Sequence, residues 1–190
     1  ESRGLGDVYK RQGVADEDLS KGPGHYQDTQ APGKPGNFAM AGHRVGRGSP
    51  FNDLGLLKTC DSVVVETAGS WNIYRVLPID VAPGERQAAA EKCMDPELAQ
   101  KISSGEYAGV NGRYITTPND INVINPVPGQ ERIEVHPKDD AALLTMTTCH
   151  PQFSNKERMI VHAALVRSEP KKGGEQPEEL TEGAQMLALI

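Results

Sequence analysis

The chain has 190 residues, room for one ordinary domain and not for two comfortable ones. Its formal charge of −6 argues against a nucleic-acid partner, because phosphate binding is driven by clustered cations. With 20 Gly, 14 Pro and only 5% aromatic residues the chain cannot be helical throughout, and no window approaches the ~18 apolar residues of a membrane span.

Residues 1–28 read as a flexible lead-in or a cloning remnant, since ESRGLGDVYKRQ has charge but no apolar run of a signal peptide. TQAPGKPGN, residues 29–37, carries two prolines and two glycines and predicts a loop. A short strand follows over NFAMAG, residues 37–42, then a loop over 45–52 and a helical turn over 53–57. SVVVET (62–67) and WNIYRVLPIDV (71–81) read as a hairpin, the three valines being the strongest β signal. Pro83-Gly84 ends that pattern, and 85–104 reads as one or two short helices interrupted by Pro96. Residues 105–120 read as irregular, and INVINPV (121–127) as another strand.

AALLTMTT (141–148) and MIVHAALV (159–166) are two further strands joined by CHPQFSNKER. From residue 169 the charged, Gly/Pro-containing tail predicts disorder, and the terminal MLALI is too short to span a membrane. The sum is a mostly-β domain over 29–168 with a helical insertion around 84–118.

Cys149 ends an apolar strand and opens a loop, which puts its sulfur at the rim of a sheet. A buried structural thiol is the alternative, because a thiol becomes a nucleophile only beside positive charge or a proton partner. Arg158 opens the next strand nine residues on, so an antiparallel pair sets it beside Cys149, where a guanidinium can hold a carbonyl or an oxyanion. Taken alone it is equally a solvated surface arginine. Among the histidines, His150 points to the opposite face, His162 reads as a satisfied strand histidine, and His43 projects from a sheet edge.

Thr145-Met146-Thr147-Thr148-Cys149, with Arg158 downstream and Ala41-Gly42-His43-Arg44 upstream, resembles the sortase family of cell-surface transpeptidases. The family's TLxTC signature stands here as TMTTC. GPGHYQDTQAPGKPGNFAMAGHR, LGLLKTCDSVVVET and TTCHPQFSNKERMIVHAAL extend the likeness over about residues 22–167. It is nearest to the class E housekeeping sortases, with class D next.

The resemblance implies a closed eight-stranded β-barrel with Cys149 as nucleophile, His43 as general acid/base and Arg158 as clamp for substrate and oxyanion. It implies that Thr147 and Thr148 line the cleft and that no metal or cofactor is needed. The substrate would be an LPxTG-like or LAxTG-like sorting signal, cut between Thr and Gly, with a peptidoglycan-precursor amine as acceptor. The enzyme would be a monomer on the extracytoplasmic face of the membrane. The family's N-terminal membrane helix has no counterpart in these 190 residues, which read as a soluble ectodomain. A pilin-polymerising sortase is a second reading, although the Asp-Pro-aromatic lid motif of such relatives is not found before Asn37. A non-catalytic barrel retained for cell-wall binding is a third.

Two departures from the family pattern stand out. His43 and Cys149 lie 106 residues apart, long for the class, with the surplus in 84–118. Cys60 stands where a small turn residue is usual, and the surplus segment carries Cys93. A Cys60–Cys93 disulfide tethering the insertion and two unpaired buried thiols both fit, and the first leaves Cys149 free.

Overall fold

Val63, Val64 and Val65 are fully buried, so the strand they form needs cover on both faces. The structure, a computed structural model, supplies that cover. It describes residues 19, 22–45, 49–181 and 185–188. Most of the expected lead-in, part of the 45–52 loop and parts of the tail lie outside the described residues.

The strands are β1 (Gly24–His25), β2 (Gly36–Ala41), β3 (Ser62–Glu66), β4 (Ser70–Val76), β5 (Arg113–Thr116), β6 (Ala142–His150), β7 (Glu157–Pro170) and β8 (Gln185–Ala188). They make one eight-stranded sheet in the order β1-β2-β6-β7-β4-β3-β8, with β5 also paired to β7. At 14 residues β7 is long enough to serve both neighbours. Its residues Arg158–Val161 pair with β5 and Ala163–Pro170 with β4. At the changeover His162 N donates to Gly112 O at 2.9 Å, and Leu77 N donates to His162 O at 3.0 Å. Gly112 is required there, because a Cβ would stand 2.0 Å from the Leu77 carbonyl oxygen.

The sheet curls around Phe38, Met40, Tyr74, Leu144, Met146 and Val161, all essentially inaccessible to solvent. β1 and β8 end the strand order and no pairing joins them among the described residues. The mostly-β architecture with few short helices is therefore a curled sheet rather than a fully closed ring.

The insertion is better packed than its composition suggests. Helices α1 (Arg86–Ala90) and α2 (Pro96–Ile102) form where 85–104 predicted them. Pro96 starts α2 rather than breaking a helix, and the Asp95 carboxylate accepts the Leu98 N–H at 2.9 Å as N-cap. Ala90, Met94, Ala99, Ile102, Tyr107 and Val110 bury themselves against Leu77, Val127, Leu143 and Ala164 of the sheet side. Cys60 and Cys93 are joined, with S–S 2.08 Å across 33 residues, which ties α1 to the turn before β3.

Several expectations need correcting. The stretch 105–120 is not irregular: it holds a 3-10 turn at Gly105–Tyr107 and strand β5, so the last residues of the insertion belong to the sheet. Ile121–Ile124 is a 3-10 helix, not a strand, because Asn122 O already accepts from Asn125 N and Gly129 N within its own turn. The end of the expected lead-in pairs with the sheet, Gly24 opposite Ala41 and His25 opposite Met40. The tail expected to be disordered carries helix α3 (Glu178–Thr181) and β8, which pairs parallel with β3. There the Arg167 guanidinium donates to both Glu179 carboxylate oxygens at 2.5 and 2.7 Å, and Leu180 packs on Val64, Trp71 and Ile73. This is the cover that Val64 required, on the face opposite Val63 and Val65.

Candidate active site

Cys149 and Arg158 are direct register partners on antiparallel β6 and β7. On the other side of β6 runs parallel β2, with Ala41 opposite Thr147. The pairing continues past β2, since Gly42 N donates to Thr147 O at 3.1 Å and Thr148 Oγ1 donates to Gly42 O at 2.8 Å. His43 follows the end of β2 by two residues, as Cys149 follows Thr147 on β6. Thr116 of β5, opposite Arg158, ends the row. Laterally paired residues leave a sheet on the same face, so Cys149, Arg158 and Thr116 share one.

The backbone around His43 is held from behind. Phe51 N donates to His43 O at 3.2 Å, which ties Phe51 to the backbone just past β2. The Phe51 ring lies against Gly42 so closely that a Cβ there would meet it at 2.6 Å. Cys149 is the free cysteine, half-buried, and its Sγ donates to Asn155 Oδ1 at 3.1 Å. Arg158 Nη1 donates to the Asn155 and Glu157 carbonyl oxygens at 3.2 and 3.0 Å. Asn155 therefore touches the thiol with its side chain and the guanidinium with its backbone. Nothing in the sequence singles it out beyond its place in the short segment joining β6 and β7.

The two threonines part company. Thr147 shares the Cys149 face, with its hydroxyl 2.9 Å from Tyr26 OH. Thr148 lies on the opposite face, buried, its hydroxyl spent on Gly42 O, and does not line the cleft. Strand alternation places it there. The same alternation turns His150 away from Cys149, where Arg44 Nη1 donates to its Nδ1 at 2.7 Å.

His162, four residues along β7 from Arg158, is fully buried and hydrogen-bonded to Thr145 and Tyr114. Burial, and then the charge of Arg86, push its pKa down to about 3. Burial and then Asp120 raise the Tyr114 hydroxyl to about 12. Among the described residues no group of three or more His, Cys, Asp or Glu side chains is placed to hold a metal ion. No helix among them is long and apolar enough to cross a membrane.

A thiol flanked by an imidazole-bearing strand end and a guanidinium can attack a carbonyl, hold its oxyanion and move a proton. Comparison with known proteins agrees with that chemistry. The sortase domain model matches residues 6–166. The solved structure of SrtF sortase from Corynebacterium diphtheriae is 55% identical, with TM-score 0.86 over 90% of this chain and 83% of that one. Sortase E from Streptomyces avermitilis is 34% identical with TM-score 0.58, over 89% of this chain and 84% of its own. Sortase SrtE1 of Streptomyces coelicolor is 30% identical over 83% of this chain, and SrtE2 of the same organism 25% identical over 90%. The chain spans 35% and 56% of the length of those two curated relatives. With the family model covering most of its length, the chain belongs to the sortase domain family.

Proposed function

We propose that this chain is the catalytic domain of a cysteine transpeptidase that cuts a C-terminal LAxTG-like or LPxTG-like sorting signal between Thr and Gly. The observation that carries the reading is the Cys149–Arg158 register pair on β6 and β7, with His43 two residues past the end of the neighbouring β2. The Cys149 thiolate attacks the Thr carbonyl carbon, and the Arg158 guanidinium receives the oxyanion of the tetrahedral intermediate. As the C–N bond breaks, protonated His43 gives its proton to the departing Gly amine, leaving a thioester on Cys149. An acceptor amine then attacks the thioester, loses a proton to His43 and forms the new amide, and Cys149 leaves as thiolate. No cofactor enters this sequence. Thr147, buried beside Cys149, shapes the floor of the cleft rather than offering a free hydroxyl.

A peptidoglycan-precursor amine is the proposed acceptor, and the extracytoplasmic face of the membrane the proposed site of action. The Cys60–Cys93 disulfide supports that location, since such bonds persist where the medium is oxidising. The test incubates the protein with LAxTG and LPxTG peptides and an amine, and reads the products by mass spectrometry. A peptide ending in Thr joined to the amine supports the reading, and intact substrate with both peptides and several amines overturns it.

A further inference from the structure

Along the same face as Cys149, three fully buried side chains and the half-buried Tyr114 form a single hydrogen-bond chain across four strands. Asn37 of β2, Thr145 of β6 and His162 of β7 are each 0% exposed, and Tyr114 of β5 closes the series. The directions of these bonds follow from the donors. Asn37 Nδ2 donates to the Val123 and Asn125 carbonyl oxygens at 3.3 and 3.0 Å, which turns its Oδ1 toward Thr145. The Thr145 hydroxyl has one hydrogen, and it goes to Asn37 Oδ1 at 2.8 Å. Thr145 Oγ1 is then the acceptor for His162 Nδ1–H, also at 2.8 Å. That tautomer leaves Nε2 with a lone pair, 3.2 Å from Tyr114 OH, which donates to it. The low proton affinity of the buried ring, with its pKa near 3, keeps that lone pair free at any ordinary pH.

The chain ends on a segment that faces the candidate site. The loop leaves β5 at Thr116, the register partner of Arg158. Thr116 Oγ1 donates to Asp120 Oδ2 at 2.9 Å, the 3-10 helix Ile121–Ile124 follows, and Val123 is buried. By Val123–Asn125 the loop stands over Asn37 of β2, whose partner Leu143 lies six residues before Cys149 on β6, or about 20 Å along that strand. Leu143 shares the Cys149 face by strand alternation on β6, so the loop crosses that face from the β7 side to β2. An extended peptide laid against Cys149 and Arg158 has that loop as its neighbour.

We propose that His162 is a positioning residue, which acts through Thr145 and Asn37 to pin the 117–125 loop across the face that bears Cys149 and so sets the wall against which the peptide binds. The proposal rests on the transpeptidase reading for its kinetic consequence and on the hydrogen-bond chain alone for its structural one. His162 touches neither substrate nor nucleophile. A buried histidine that merely filled the core would not transmit its loss to a loop beyond two intervening strands.

The test compares the wild-type protein with His162→Phe, with the near-isosteric Thr145→Val, and with His162→Gln, whose amide can donate to Thr145 and accept from Tyr114. Two quantities are read: hydrogen exchange at the Ile121, Asn125 and Gly129 amides, which have partners inside the loop, and KM against kcat for the sorting-signal peptide. His162→Phe and Thr145→Val are expected to speed loop exchange by about tenfold or more while β6 and β7 amides stay protected. Both should raise KM several-fold with kcat changed by less than about threefold, and His162→Gln should recover most of each effect. Thr145→Val severs the chain with little change of shape, so it reads the relay even if His162→Phe fails to fold. Loop exchange equal to wild type in Thr145→Val overturns the proposal. If the wild-type protein turns over no peptide, the transpeptidase reading fails while faster loop exchange still upholds the relay. Normal turnover with an undisturbed loop sinks the relay alone.

Discussion

In the proposed acyl transfer Cys149 is the nucleophile, His43 the proton carrier and Arg158 the charged clamp, and each proposed role sets the cost of losing it. His43→Ala and Arg158→Ala should each lower kcat/KM by roughly 10²–10⁴, the range for a lost acid/base or oxyanion donor. Arg158→Lys should recover little, since an ammonium is a point charge without the planar fork. His150→Ala should cost far less, because His150 faces away and binds Arg44. Steady-state peptide cleavage measures all four, and equal losses at His43 and His150 would contradict the face assignment. The core of this row was legible in sequence: a cysteine ending one strand and an arginine opening the next fall side by side in a hairpin. Thr148 was misread although the alternation used to set His150 aside applies to it equally. Asn155 was not legible as a contact of the thiol, because turn-forming asparagines look alike until the loop closes.

Among the elements, those with an intrinsic pattern were readable and those defined by their neighbours were not. The β3–β4 hairpin and the short helices α1 and α2 follow from three valines and from an Ala/Glu/Gln-rich run with an Asp-Pro start. RYIT of β5 has no alternation that a sequence could display, and it is a strand because β7 offers an unpaired edge. INVINPV has β-branched residues but closes on itself through Asn122, so local hydrogen bonding outweighed propensity. The Cys60–Cys93 bond acts at this scale, tying α1 to the turn before β3. Closing a loop of 33 residues stabilises by about 3–4 kcal/mol in the chain-entropy picture. Thiol titration of the denatured, unreduced protein should find one thiol, and after reduction three. Three thiols without reductant would contradict the bond. Reduction of the folded protein should lower Tm without changing which peptide is cut, because the bond lies away from the Cys149–Arg158 pair.

For the molecule as a whole, the tail and the buried polar groups decide stability. The tail was unreadable because its charge and its Gly and Pro content match a solvated segment, whereas Glu179 is buried against Arg167 and Leu180 covers β3 and β4. Stability should fall toward acid, and His162 sets where this begins. Its folded pKa of about 3 lies below the usual 6.5, so between those values only the unfolded chain takes up the proton. Stability is then complete above about pH 6.5 and declines by about 1.4 kcal/mol per pH unit as the pH drops toward 3. His25, lowered by burial against the opposing pull of its hydrogen bonds, adds a decline of the same sign. Asp140, where Arg132 and the His136 N–H outweigh burial, and Glu179, held down first by Arg167, lose their contributions at still lower pH. Denaturant unfolding at pH 7, 6 and 5 should show the decline, with a shallower slope in His162→Phe; parallel slopes would contradict the burial argument.

The central claim is that Cys149 carries the peptide as a thioester, and intact-protein mass spectrometry after brief mixing with a sorting-signal peptide tests it most directly. The account predicts an adduct of the peptide up to and including Thr, mapped to Cys149, discharged by an amine and absent from Cys149→Ala. An adduct on another residue, or amide transfer that persists in Cys149→Ala, would contradict it.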